Sequence, residues 1–180
     1  MTKYVAPNQP YMAPQNFSYA AHDGASGTLK DFRRQKAVLL VLFSWPESRA
    51  RLDQLRLAYA TLSGSNTNTV VLAMPMNDLN QDDLAAITAD IPFPVATQGA
   101  PEIARSYALF RRTLSNPDLA GEGTTPKHME FLIDRYGYLR ARWIPAVDGT
   151  GWTDIGELTR QIEQLNREKE IRPPPDDHVH

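Results

Sequence analysis

Apolar and polar positions along this chain switch several times between a two-residue and a three-to-four-residue period. Residues 1–16 hold three prolines and little periodicity, which favours an extended segment. At Phe17 the pattern changes: FSYAAHDG sets aromatics at alternate positions 17 and 19 ahead of an Asp-Gly turn, which reads as a short strand. Residues 28–35 suit a short helical turn. Ala37 to Phe43 form an unbroken apolar run, AVLLVLF, of the kind that is buried on both faces of a sheet, so it reads as a central strand.

Helical spacing then takes over. Apolar residues at 52, 55, 57, 59 and 62 predict a helix from Glu47 to about Leu62, with Arg49, Arg51, Asp53 and Arg56 on its wet side and Ser63-Gly64 as its stop. Thr69 to Ala73 is the next buried strand, and Asp78 to Ala89 a helix that Asp78 would cap. IPFPV, with two prolines, fits an edge strand or an extended connection. Pro101 and Glu102 open a helix predicted over 101–113. The polar stretch 114–128 is a long loop, and long loops in compact domains are often functional. EFLIDRYGYLRARW is a hairpin turning at Asp-Arg-Tyr-Gly, and 154–170 a final helix with Ile155, Leu158, Ile162 and Leu165 as its stripe. The tail IRPPPDDHVH is polar and stiffened by proline.

Composition removes whole classes of chemistry. The 180 residues contain no cysteine, so thiolate catalysis, disulfide exchange, cysteine-zinc sites and iron-sulfur clusters are excluded. A body of about 150 residues buries enough surface to fold without disulfides or a structural metal. Nineteen basic against 21 acidic residues, with no basic block interleaved with aromatics, argue against nucleic acid as a partner. The longest apolar run is far shorter than the roughly 20 residues a membrane helix needs, so this segment is not expected to insert in a membrane.

Parallel βαβ units followed by an antiparallel hairpin and a closing helix describe an α/β, thioredoxin-like arrangement: a central mixed sheet flanked by helices over 17–170, between extended tails at 1–16 and 171–180. Particular runs agree. APQNFSYAAHDG and GTLKDFRRQKAVLLVLFSWPESRARL resemble the opening of periplasmic thioredoxin-like reductases and peroxiredoxins, and FLIDRYGYLRARW their terminal hairpin. More narrowly, SRARL, EFLIDRYGYLRARW, the G-W-x-D-I segment and the closing PPPDDHVH are similar to the soluble C-terminal domain of bacterial copper resistance D family membrane proteins, over residues 13–180. That resemblance implies a periplasmic or otherwise extracytoplasmic domain, tethered to the inner membrane in a longer protein. It also implies a copper-handling membrane protein, or the chain's own upstream membrane region, as partner.

The loop where the family mounts its sulfur holds Ser44, Trp45, Pro46, Glu47 and Ser48. Alignment on the reductases' C-x-x-C sets Trp45 at the attacking cysteine and Ser48 at the resolving one; alignment on the C-x-x-x-C of Sco-type copper chaperones sets Ser44 and Ser48 there. A serine hydroxyl neither cycles redox state nor binds copper well, so in either register the family chemistry is lost. No G-x-S-x-G elbow surrounds the serines and no base is assignable to them, so Ser48 reads as part of a helix cap and Glu47 as a charge favoured by the helix dipole. Trp45 is a candidate contact residue or lid. The cis-proline position of the reductases falls on His128, and the copper histidine of Sco-type proteins on Pro126. His128 and Met129 put nitrogen and thioether donors side by side, although neighbours on a strand point to opposite faces. Met74 and Met76 share a face at a strand end and suit core filling. The H-x-H pair His178 and His180, with Asp176 and Asp177 nearby, could bring two imidazoles to copper. Three readings follow: a redox-inactive domain in copper handling, acting by protein or metal binding; a metal-independent interaction module; and a residual thioredoxin- or peroxiredoxin-like oxidoreductase.

Overall fold

A computed structural model describes residues 3–4, 16–98, 101–103 and 126–169. The strands are β1 (Lys3–Tyr4), β2 (Ser18–Ala20), β3 (Ser26–Thr28), β4 (Ala37–Phe43), β5 (Thr69–Pro75), β6 (Met129–Ile133) and β7 (Leu139–Trp143). The helices are α1 (Arg49–Leu62), α2 (Gln81–Thr88), the single turn α3 (Pro145–Asp148) and α4 (Ile155–Arg167). A 3₁₀ turn, Leu29–Phe32, fills the place read as a helical turn.

The five-stranded sheet has the order β1-β7-β6-β4-β5, with β4 parallel to β5 and antiparallel to β6, and with β7 antiparallel to both β6 and β1. β2 and β3 form a separate hairpin. Every residue of β4 and β5 is buried, as an apolar run without alternation requires. Val38, Leu40, Leu42, Leu72, Met74, Met129 and Phe131 pack on one face, closed by Phe17 and Leu29. Leu39, Val41, Phe43, Val71, Leu132 and Trp143 pack on the other, against Leu52, Leu55 and Leu62 of α1 and Leu158, Ile162 and Leu165 of α4.

Two expectations change, and one alternative is resolved. The second helix starts at Gln81 rather than Asp78, because the Asn80 side chain accepts from the Asp83 amide at 2.7 Å and caps it. On α1, Leu57 is 75% exposed while Arg51 is buried, the reverse of the assigned faces. IPFPV is an extended connection, held by single bridges from Val95 to Ala73 and from Ala96 to Ala21. Residues 101–103 are helical; the rest of the predicted helix over 101–113 lies outside the described residues, as does loop 114–128 before Pro126.

Candidate functional site

The site forms where β4 ends and α1 begins, opposite the start of β6. Leaving the sheet at Phe43, the chain turns through Ser44–Glu47, with the Ser48 amide donating to the Ser44 carbonyl at 2.8 Å and the Arg49 amide to Pro46 at 3.1 Å. The Trp45–Pro46 peptide is cis, and the Trp45 amide donates to Asn77 Oδ1 at 3.1 Å. Ser48 takes the N-cap position of α1, but its hydroxyl does not cap the helix. Instead Ser48 Oγ accepts from the Ser44 amide at 3.1 Å and lies 2.8 Å from His128 Nδ1.

From His128 the chain of hydrogen bonds runs inward. Nε2 lies 2.7 Å from Glu130 Oε2, and Arg51 grips the same carboxylate with Nε and Nη2, each at 2.7 Å. Arg51 Nη1 also donates to the Trp152 carbonyl at 3.0 Å and to Gln54, and its guanidinium lies 4.6 Å from the centre of the Trp143 ring. Glu130 is wholly buried. Burial alone would push its carboxyl up; Arg51 and then His128 overcome that and hold it at about 2.

An ionised carboxylate can only accept, so His128 Nε2 carries the proton and donates it to Glu130. In the neutral imidazole Nδ1 is then a bare acceptor, and the Ser48 hydroxyl donates to it while receiving the Ser44 amide. With the imidazole neutral, the polarity of the whole chain follows from the charge of Glu130. Beside it lies an open groove of about 800 Å³, walled by Ser48, Arg51, Gln54, His128, Trp143 and Pro145.

No family model matches the chain, and no curated protein matches it. Solved structures do. A secreted thiol-disulfide isomerase from Corynebacterium glutamicum is 14% identical with a TM-score of 0.64, over 91% of this chain and 92% of its own. BsSco, a member of the Sco family of cytochrome c oxidase assembly proteins, is 14% identical with a TM-score of 0.59, over 87% of this chain and 97% of its own. The mitochondrial 2-Cys peroxiredoxin from Plasmodium falciparum is 12% identical with a TM-score of 0.61, over 92% of this chain and 100% of its own. The fold is thioredoxin-like.

On this thioredoxin-like scaffold the structure sorts the residues picked out from the sequence. Ser44 and Ser48 come together, by amide and hydroxyl. Trp45 is half-buried against the α1-side core with the Arg49 guanidinium 5.1 Å from its ring centre, so it takes no part in the hydrogen-bonded chain. Pro46 and Glu47 are exposed, and Glu47 reaches the groove rim. His128 and Met129 are split: the histidine faces α1, while Met129 is fully buried on the opposite face of the sheet. Met74 is core and Met76 packs against it. His178 and His180 lie outside the described residues.

Copper, which the Sco resemblance implies, does not fit the described core. Both ring nitrogens of His128 are engaged, Met129 faces away, no thiolate exists, and among the described residues no three His, Cys, Asp or Glu side chains gather to hold an ion. The sequence assigned no base to Ser48; the structure sets His128 Nδ1 2.8 Å from its hydroxyl, with Glu130 and Arg51 behind the imidazole. The signal was present. His128 immediately precedes β6 and Glu130 lies two residues on within it, so in extended backbone they share a face, and a glutamate inside MEFLI has to be paired if buried.

Proposed function

We infer that this chain is a redox-inactive thioredoxin-like binding domain of a copper-handling system. The observation that carries the reading is the replacement of a dithiol by the closed chain Ser48–His128–Glu130–Arg51, which leaves the neighbouring groove open. Thiol–disulfide exchange needs a thiolate, and the sequence has none. What remains is a shaped surface, with Trp143, Pro145 and Ala50 as apolar contacts and Gln54, Thr150 and Thr153 as polar ones. A protein partner fits it: a copper-handling membrane protein, or a membrane region of the same polypeptide. Among the described residues no helix is long and apolar enough to cross a membrane. An extracytoplasmic place, tethered to the inner membrane, rests on the resemblance of the hairpin and the tail.

Copper belongs to the tail in this reading, through His178 and His180, because among the described residues no ligand set gathers. Titration of Cu(I) and of Cu(II), followed by backbone NMR, tests it. Shifts confined to 176–180, with 128–129 unmoved, are expected. No movement in the tail removes copper and leaves the metal-independent interaction module, which capture by the upstream membrane region would then support. Any insulin reduction by the purified chain would overturn redox inactivity.

A further inference from the structure

The Ser48–His128–Glu130 chain has a property that a binding domain does not use. We propose that Ser48 is an acyl-accepting nucleophile, with His128 as its general base, toward small activated esters that enter the groove. Three side chains, from the N-cap of α1, the residue before β6 and β6 itself, stand in the order hydroxyl, imidazole, carboxylate at 2.8 and 2.7 Å, within the range that proton transfer in such relays requires. The Ser44 amide occupies one acceptor site on Oγ, leaving the hydroxyl hydrogen free to donate to neutral Nδ1 at 2.8 Å. A serine that merely capped α1 would aim Oγ at the first-turn amides, and Ser48 does not.

The step balances without any co-reactant. Ser48 Oγ forms a bond to the carbonyl carbon as its proton passes to His128 Nδ1; the ester C–O bond then breaks and the leaving alkoxide takes that proton. Water reverses the roles: it attacks the acyl-serine, His128 takes its proton and returns it to Oγ, and a carboxylic acid departs. The start of α1 borders the groove through Ser48, Ala50 and Arg51, and the positive end of its dipole favours negative charge developing on the carbonyl oxygen. Glu130 and Arg51 are positioning residues. The carboxylate sets the histidine tautomer, but Arg51 already compensates its charge, so an imidazolium gains less from it than beside a lone carboxylate. Good leaving groups therefore acylate Ser48, and deacylation is slow.

The test uses the full chain and p-nitrophenyl acetate, with intact mass, peptide mapping and nitrophenolate release as readouts, and a fluorophosphonate probe in parallel. One acetyl group on the peptide containing Ser48 is expected, ahead of slow turnover. Ser48→Ala abolishes that label, and His128→Gln slows acylation on the order of a hundredfold. Ser63→Ala, at an exposed hydroxyl bonded to the Tyr59 carbonyl, labels as the parent does. Absence of label on the parent, label only on lysines, or an unchanged rate in His128→Gln overturns the proposal. Should either variant fail to fold, the mapped position of acetyl and fluorophosphonate on the parent still decides. None of these outcomes bears on copper or on partner capture.

Discussion

β6 carries a buried carboxylate at each end, and the two are satisfied in opposite ways. At the lower end Asp134 closes its own hairpin: Oδ1 accepts from the Tyr136 and Tyr138 amides at 2.9 and 3.0 Å, and Oδ2 from Arg140 at 3.1 Å. At the upper end Glu130 has side-chain partners, one of them 79 residues away on α1. Burial raises the Asp134 carboxyl, opposed by the Tyr138 amide and Arg140, and the net direction is up. For Glu130 the net direction is down, to about 2. A carboxylate used by local backbone is turn architecture. One assembled from distant side chains, with its far end opening on a groove, is the arrangement that functional sites use.

The sharpest way to break this contrast is to remove each arginine. Arg51→Met leaves Glu130 buried with only His128 beside it, a loss on the order of 3–5 kcal/mol. Arg140→Met leaves Asp134 two amide donors and a carboxyl already inclined to protonate, so about half that loss is expected. Urea unfolding of both variants checks the order, and an equal or reversed ranking would sink the distinction. Acid separates the two ends next. Glu130 has a depressed folded value, so its contribution is complete above its ordinary 4.5 and is lost as pH falls toward about 2. Asp134 has a raised folded value, so its contribution has the opposite sign: it favours the folded state at low pH and fades as pH rises through that value. Urea midpoints followed down through this range should fall less steeply in Glu130→Gln than in the parent, and more steeply in Asp134→Asn.

The fold was legible because strands β4 to β7 and helix α4 declare themselves by unbroken or strictly periodic apolar residues. The upper site was not, and α1 shows why. Counting five apolar residues between 52 and 62 placed Leu57 on the stripe, yet it lies about 200° from Leu55 at 100° per residue. Positions 48, 51, 52, 55, 59 and 62 follow the three-and-four spacing without exception, and they put Arg51 and Ser48 on the inner face. A charged residue was assigned to water by type when its spacing assigned it to the core. The partner that makes burial tolerable, Glu130, is 79 residues away, and no local pattern links the two.

The smallest expected difference concerns how each end is held rather than what it binds. The lower turn is built from backbone: Gly137 has a φ of 93°, and a Cβ there would meet Arg33 Cγ at 3.1 Å. Gly137→Ala thus forces an L-residue into left-handed space, at about 1–2 kcal/mol before any displacement of Arg33. Ser48→Ala removes one hydroxyl from a helix start that already lacks a side-chain cap, leaving the Ser44 amide without its acceptor, and about 1 kcal/mol is expected. The two midpoints in urea should accordingly fall in that order, with both variants folded. If Ser48→Ala were the more damaging, the hydroxyl would be holding the fold together, and its alignment on His128 would need no chemical explanation. A small loss, joined to complete loss of labelling at position 48, would separate the residue's use from its support.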